Sequence, residues 1–470
     1  MQPRTERDSM GERTLDAGAY YGIQTLRAVE NFPISGIGPL PDFVRACALI
    51  KRAAARVNAD LQCIPEEVAQ AIIGASDEVL AGRWSEQFVV DIFQAGAGTS
   101  HHMNINEVLA NRALEILGHA RGDYKRVNPN DHVNYGQSTN DVIPTAIRLG
   151  ALFASAPLLE ALSALQQSFE AKGNEFLPIV KAGRTHLQDA VPVRLGDEFL
   201  AYAQIAGEHH GRIEGACREL LVLGLGGSAV GTGLNTHPQY RVRVVAELAR
   251  LTGLALTPAP RPMAAMQSMA PFVAVSGSLR NLAQDLVKIA GDLRLMDSGP
   301  KTGLREIELP PVQPGSSIMP GKYNPVLCEM LAMVAFQVMG YDQAIALASQ
   351  AGQLELNVMM PLIAYDLLHS FTILTNALTV FRTRCIEGIQ ARPERCLAYA
   401  EGSIALVTAL NPHIGYLNAA AVAKESLATG RSPREIVLDR GLLTEVQLAE
   451  ILDLEAMSRR PETRPAAEQR

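Results

Sequence analysis

Apolar positions along this 470-residue chain advance by threes and fours far more often than they alternate. From Leu279 to Leu293 they also fall on Leu282, Ala283, Leu286, Ile289 and Ala290, the stripe of one helical face. Comparable runs at 143–169, 199–223, 326–338 and 362–381 predict further long helices. In several of these the apolar residues spread beyond one stripe, so burial on more than one side is expected, as at a subunit interface. Pro144 suits a first helical turn, whereas Pro157 lies within its pattern and predicts a kink. Polar stretches at 128–141, 187–196 and 310–325 read as loops. After Arg392-Pro393 come short helices punctuated by Asn411-Pro412 and Gly430-Arg431-Ser432-Pro433, and 458–470 is expected to fray. The reading is mainly α: a mostly helical N-terminal domain (1–138), a central helical bundle (139–392) and a small C-terminal helical domain (393–470).

Composition adds exclusions. A chain that is 47% hydrophobic and 19% charged reads as an ordinary globular protein. Its net charge of −7 offers no basic excess to displace counterions from phosphates, so no nucleic-acid partner is expected. The same balance means that a site for an anionic substrate must be built locally. Six scattered cysteines without a C-x-x-C pair predict free thiols and a cytoplasmic home. The polar first ten residues contain no signal-peptide pattern, and no uninterrupted apolar run predicts a membrane span.

Four polar segments interrupt the apolar helices. They are Gly96-Ala97-Gly98-Thr99-Ser100-His101-His102-Met103-Asn104, Gln137-Ser138-Thr139-Asn140-Asp141, Gly183-Arg184-Thr185-His186-Leu187-Gln188-Asp189, and the loop from Gly315 to Pro325. Each sets hydroxyls and amides at a helix start or flank, where free N–H groups and the macrodipole favour anions. Taken singly, each is more often just a cap, and a lone His186 or Lys322 an ordinary structural or solvated side chain. In the fourth, Ser316, Ser317, Lys322 and Asn324 have the parts to grip a carboxylate and hold a serine beside a positive charge. Gly224-Leu225-Gly226-Gly227-Ser228-Ala229 superficially fits a dinucleotide fingerprint, but it follows a helical run and is read as a turn. Glu208-His209-His210 lacks the spacing of a zinc helix and is read as a solvated face; no cluster has metal-ligand spacing.

In this order and spacing the four segments resemble the aspartase/fumarase superfamily, whose signature loop reads G-S-S-x-x-P-x-K-x-N, and the likeness spans roughly residues 10 to 457. The resemblance implies a three-domain fold whose long-helix bundle forms the core of a homotetramer, with each active site drawn from three subunits. It implies a small dicarboxylate substrate, release of fumarate, and no cofactor. Ser316 would be the general base, and Thr99, Ser138, Thr139 and Ser317 would hold the developing aci-carboxylate. Lys322 and Asn324, with Thr185 and His186, would bind the other carboxylate. Asn140 and His186 would sit near the leaving group, Glu329 would orient His186, and Arg27 resembles a family arginine near the site. Such a site must stabilise charge that grows during the reaction, and a serine base needs its oxyanion stabilised by a closing loop.

The stretch Tyr20–Phe32, Asn128-Pro129-Asn130-Asp131-His132 and Ser138-Thr139-Asn140 are similar to aspartases, as are Ala351–Asn357 and Ser432–Val437. Pro320-Gly321-Lys322, Cys328-Glu329 and Leu234–Pro238 are similar to class II fumarases. The segments around the site favour elimination of ammonia from L-aspartate. Malate/fumarate hydration, an N-substituted or modified aspartate, and a non-catalytic crystallin-like relative stay open. His102, where family members usually carry Asn, and Tyr323, where they carry a small aliphatic residue, are the departures that keep the substrate open.

Overall fold

The computed structural model describes residues 3–459. A hairpin of β1 (Arg4–Asp8) and β2 (Gly11–Leu15) leads into α1 (Ile23–Asn31), α2 (Pro41–Asp60), α3 (Glu66–Leu80), α4 (Thr99–Ile116) and α5 (Thr139–Phe176). A second hairpin, β3 (Val180–Thr185) and β4 (Gln188–Arg194), precedes α6 (Leu195–Cys217), α7 (Tyr240–Thr252), α8 (Pro262–Gln267), α9 (Ala270–Asp297), α10 (Val326–Gln350) and α11 (Met360–Arg384). Six shorter helices, α12 (Pro393–Gly402) to α17 (Leu454–Ser458), complete the described chain. The long helices lie where the threes-and-fours pattern placed them, with one correction: α6 stops at Cys217, and 218–223 form a 3-10 turn and a two-residue strand instead of its last turns.

By packing, the chain divides into two units. One comprises Met1–Glu160, His209–Gln284 and Val334–Asn376; the other Ala161–Glu208, Asp285–Met333 and Ala377–Arg470. The division falls within α5, α6, α9, α10 and α11, so each unit holds part of each of these helices.

In the first unit, α2 starts on Pro41, whose missing N–H and fixed φ suit a first turn. Its alanines Ala46, Ala53 and Ala54 are fully buried and let α3 and α4 approach closely, with Ile72 and Val108 filling the space. Burying each Ile or Val contributes roughly 1.5–3 kcal/mol. No side chain within the α1 segment caps its start. The buried Glu107 of α4 serves instead, accepting the amides of Gly22 (2.8 Å), Gln24 (3.0 Å) and Thr25 (3.0 Å). In the second unit Phe169, Phe176, Phe199 and Tyr202 form an aromatic cluster with centroids 5.2–6.3 Å apart. The C-terminal helices close over Leu410, Val422, Ile436, Val437 and Leu448, and capping boxes at Ser432/Glu435 and Thr444/Gln447 start two of them.

Several sequence expectations are corrected. Residues 188–194 are a strand rather than loop, because pairing with β3 satisfies a polar backbone that shows little apolar alternation. Within 128–141, Pro129–Val133 forms one π-helical turn and α5 begins at Thr139. Pro144 falls in the second turn of α5 rather than the first, and both it and Pro157 lie inside the one helix. His209 is buried, not solvated. By length and composition α5 and α10 are apolar enough to cross a membrane, despite scattered polar residues; 72% of the α5 window is buried within the fold but only 28% of the α10 window. Of the stretch expected to fray, Ser458 closes α17, Arg459 follows it, and 460–470 lies outside the described residues.

Candidate active site

In the first unit two helix starts are packed together. α4 begins at Thr99 after Gly98, whose φ of +89° favours glycine and where a Cβ would stand a tight 3.2 Å from the Ile143 side chain of α5. At the head of α5, the Ser138 hydroxyl accepts the Asn140 amide at 3.2 Å, and the Asp141 carboxylate accepts the Ser138 amide at 2.9 Å. The second Asp141 oxygen accepts the amides of Gly226 (2.9 Å) and Ser228 (3.0 Å). The glycine-rich run at 224–229 thus turns amides toward the chain's own carboxylate, which explains a turn there without a nucleotide. Burial raises Asp141 to about 6, against the pull of those hydrogen bonds. Asn140 Nδ2 donates to the Ala229 carbonyl at 2.8 Å. Thr99 is exposed, while Ser138, Thr139 and Asn140 are half-buried. Two converging positive helix ends with hydroxyls on them are suited to a carboxylate.

Behind Thr139 lies a polar cage. Lys51, fully buried on α2, reaches His102 Nε2 at 2.7 Å, Asn134 Oδ1 at 2.9 Å and Gln137 Oε1 at 2.9 Å. His102 Nδ1 lies 2.8 Å from Thr139 Oγ1. The amide NH₂ of Gln137 is held by the carbonyls of Val133 (3.1 Å) and Tyr135 (3.3 Å), and that of Asn134 by the Gln137 carbonyl (3.3 Å). Both amide oxygens are therefore turned to Lys51. Burial pushes the lysine down to about 7 and, with Lys51 beside it, the His102 ring well below its ordinary value. Sequence reading passed over Lys51, although a cation flanked by Cys47, Ala48, Ala54 and Ala55 at helical spacing stands in an apolar stripe. Arg27 on α1 gives Nε and Nη2 to Asp8 at 2.7 and 2.8 Å and so fastens the first hairpin.

The second unit presents Thr185 and His186 at the exposed tip of the second hairpin. Its first strand is anchored by the fully buried Glu306, which pairs with Lys181 at 2.9 Å and Arg184 at 2.8 Å. The two-residue turn has φ of +55° at His186 and +59° at Leu187. Such turns normally carry Asn-Gly, and each bulky residue held there costs about 1–3 kcal/mol. Strain of this kind is held at a tip that displays Thr185 and His186 to solvent.

The serine loop is irregular, as expected for 310–325. The Gly315 amide donates to the Lys322 carbonyl and Asn324 Nδ2 to the Gly315 carbonyl, both at 2.7 Å. A Cβ on Gly315 would stand 2.6 Å from the Lys322 oxygen, so glycine is required for this clasp. Ser316 Oγ accepts the amides of Met319 (3.0 Å) and Ile318 (3.3 Å), two donors that would stabilise an alkoxide. Ser317 and Lys322 are exposed. Glu329, in the first turn of α10, faces Arg294 at 3.6 Å rather than an imidazole of this chain. Arg294, Arg305, Lys322, Tyr323, Asn324 and Glu329 line an open cleft of about 740 Å³.

A family model described as "Lyase" matches residues 11–340, and one described as "Fumarase C C-terminus" matches 406–459. The chain is 49% identical to an aspartate ammonia-lyase of Bacillus subtilis, over 96% of this chain and 95% of that protein. It is 51% identical to one from Pseudomonas aeruginosa, again over 96% and 95%. A solved fumarate lyase:delta crystallin from Brucella melitensis bound to cobalt superposes with TM-score 0.94 at 48% identity, covering 97% of this chain and 100% of that one. A class II fumarase from Schistosoma mansoni gives TM-score 0.94 at 36% identity, covering 97% and 99%. With the two helix starts, the strained hairpin and the serine loop in place, the chain belongs to the lyase family of the aspartase/fumarase superfamily.

Proposed function

We propose that this chain is a carbon–nitrogen lyase that reversibly eliminates ammonia from L-aspartate to give fumarate. The observation that carries the reading is Ser316 Oγ held by two backbone amides within the signature loop, in a chain about half identical to aspartate ammonia-lyases over nearly its whole length. Ser316, as its alkoxide, takes a proton from C3 of aspartate. The electron pair passes into the adjacent carboxylate as a doubly charged aci-form, then returns to make the C2–C3 double bond as the C2–N bond breaks. Thr99, Ser138, Thr139 and Ser317 hold the aci-carboxylate with hydroxyl and amide hydrogens. Lys322 and Asn324, with Thr185 and His186, hold the other carboxylate. Asn140 and His186 lie by the leaving amine, Glu329 orients His186 in the assembly, and Arg27 supports the site through the first hairpin.

The working form is a homotetramer in which three subunits complete each site. α10 supports this, because Met333, Phe336 and Leu347 are 64%, 57% and 53% exposed in a single chain. Further copies would cover such a face at the scale of an obligate interface. Six free cysteines support a reducing, cytoplasmic setting.

Fumarate absorbance with aspartate and malate supplied separately tests the substrate. Signal is expected with aspartate, and signal with malate alone would overturn the reading in favour of a hydratase. Ser316→Ala should lower turnover by at least about 10²–10⁴-fold, and near-normal turnover would reject it as the base.

A further inference from the structure

The Lys51 cage accepts either protonation state of the lysine, but the two states point the Thr139 hydroxyl in opposite directions. As an ammonium, Lys51 gives one hydrogen each to Asn134, Gln137 and His102 Nε2, and all three donors are used. His102 must then carry its hydrogen on Nδ1 and donate it to Thr139 Oγ1, leaving the threonine hydrogen free to point outward. As an amine, Lys51 still serves both amide oxygens and turns its lone pair to His102. The imidazole hydrogen now sits on Nε2, Nδ1 becomes an acceptor, and Thr139 donates inward to it. The balance is one proton. The Nδ1 hydrogen leaves by way of the half-buried Thr139 as the third Lys51 hydrogen moves to Nε2.

We propose that Lys51 and His102 form a positioning pair that makes Thr139 a hydrogen-bond donor to the substrate carboxylate while the pair keeps its proton, and turns that donor inward when the proton is lost. This rests on the reading that Thr139 meets a carboxylate. An acceptor aimed at an anion is repelled, so the inward state binds the dicarboxylate more weakly. The ionisable groups facing the pair are Cys47 one turn back on α2, Asp141 on α5 and, beyond Asp141, Tyr240 on α7. Burial holds Cys47 up at about 12 and Tyr240 well above its ordinary value, so neither supplies charge near neutral pH. With Lys51 down at about 7, the reversal falls in the neutral range.

Substitutions of Lys51 would strand two buried amide oxygens and confound folding, so His102 is the position to change. His102→Asn keeps a donor toward Thr139 that does not titrate, and His102→Leu removes it. Succinate binding to the full-length assembly is measured by calorimetry between about pH 6 and 9, with circular dichroism confirming that each variant is folded. Wild type should lose roughly tenfold in affinity across that range. His102→Asn should show no such loss, and His102→Leu should bind roughly tenfold more weakly at the acidic end. The same pH slope in wild type and His102→Asn, or wild-type affinity in His102→Leu, would overturn the proposal. Fumarate formation from aspartate by wild type is scored in parallel. Its absence would reject the functional reading, whereas its presence with His102-independent binding would reject the pair alone.

Discussion

His101 and His102 are neighbours on α4, both buried, with different fates. His101 Nε2 donates to the Val90 carbonyl at 3.1 Å, and burial pushes its ring down to about 4. The neutral ring is the form the fold stabilises. Since an unfolded histidine titrates near about 6.5, that stability is fully present above this pH and is lost as the pH falls through about 4. The loss reaches roughly 3 kcal/mol at the acid end. His101→Phe, which cannot take up the proton, should therefore melt with a shallower pH dependence than wild type between pH 6.5 and 4. Parallel melting curves for the two proteins would show that the ring is not held neutral. His102 spends its burial differently, because both ring nitrogens have partners and one of them leads to Thr139. The Thr-Ser-His-His string is legible in the sequence as polar; which histidine faces which partner is not.

At the scale of elements, apolar spacing found the long helices because a helical face is a local property of the chain. It missed the second hairpin, whose strands are polar and whose turn carries His186-Leu187 in place of the glycine or asparagine that signals such turns. Leu187 holds a positive φ in a hairpin whose first strand is tied down through Lys181 and Arg184 to Glu306. Leu187→Gly relieves the turn without touching Thr185 or His186, and should stabilise the protein by about 1 kcal/mol. Unchanged or lower stability in chemical denaturation would mean the turn stores no strain. The serine loop was legible for the opposite reason. Its Gly and Pro residues advertise irregular backbone, and its hydroxyls, lysine and carboxamide are contiguous.

For the whole molecule, the informative mismatch is α10, a hydrophobic helix whose most apolar window is only 28% buried within the chain. If further copies cover it, a charge placed there must be desolvated without a partner on assembly. On the proposed tetramer, Phe336→Asp should therefore shift the protein from four times its 50.6 kDa mass toward smaller species in light scattering, with activity lost in proportion. A tetramer of normal activity would place the interface elsewhere. Helical class, the long helices and the four polar segments were determined by the sequence alone, because periodicity and contiguous motifs are written residue by residue. Only the tertiary structure decided that Lys51 is caged behind Thr139, that Asp141 occupies the amides of the glycine-rich turn, and that Glu107 caps a helix more than eighty residues earlier in the chain. Each of these pairs groups far apart along the chain. Burial, which makes an unpaired polar atom costly, selects the partner only once the fold has closed.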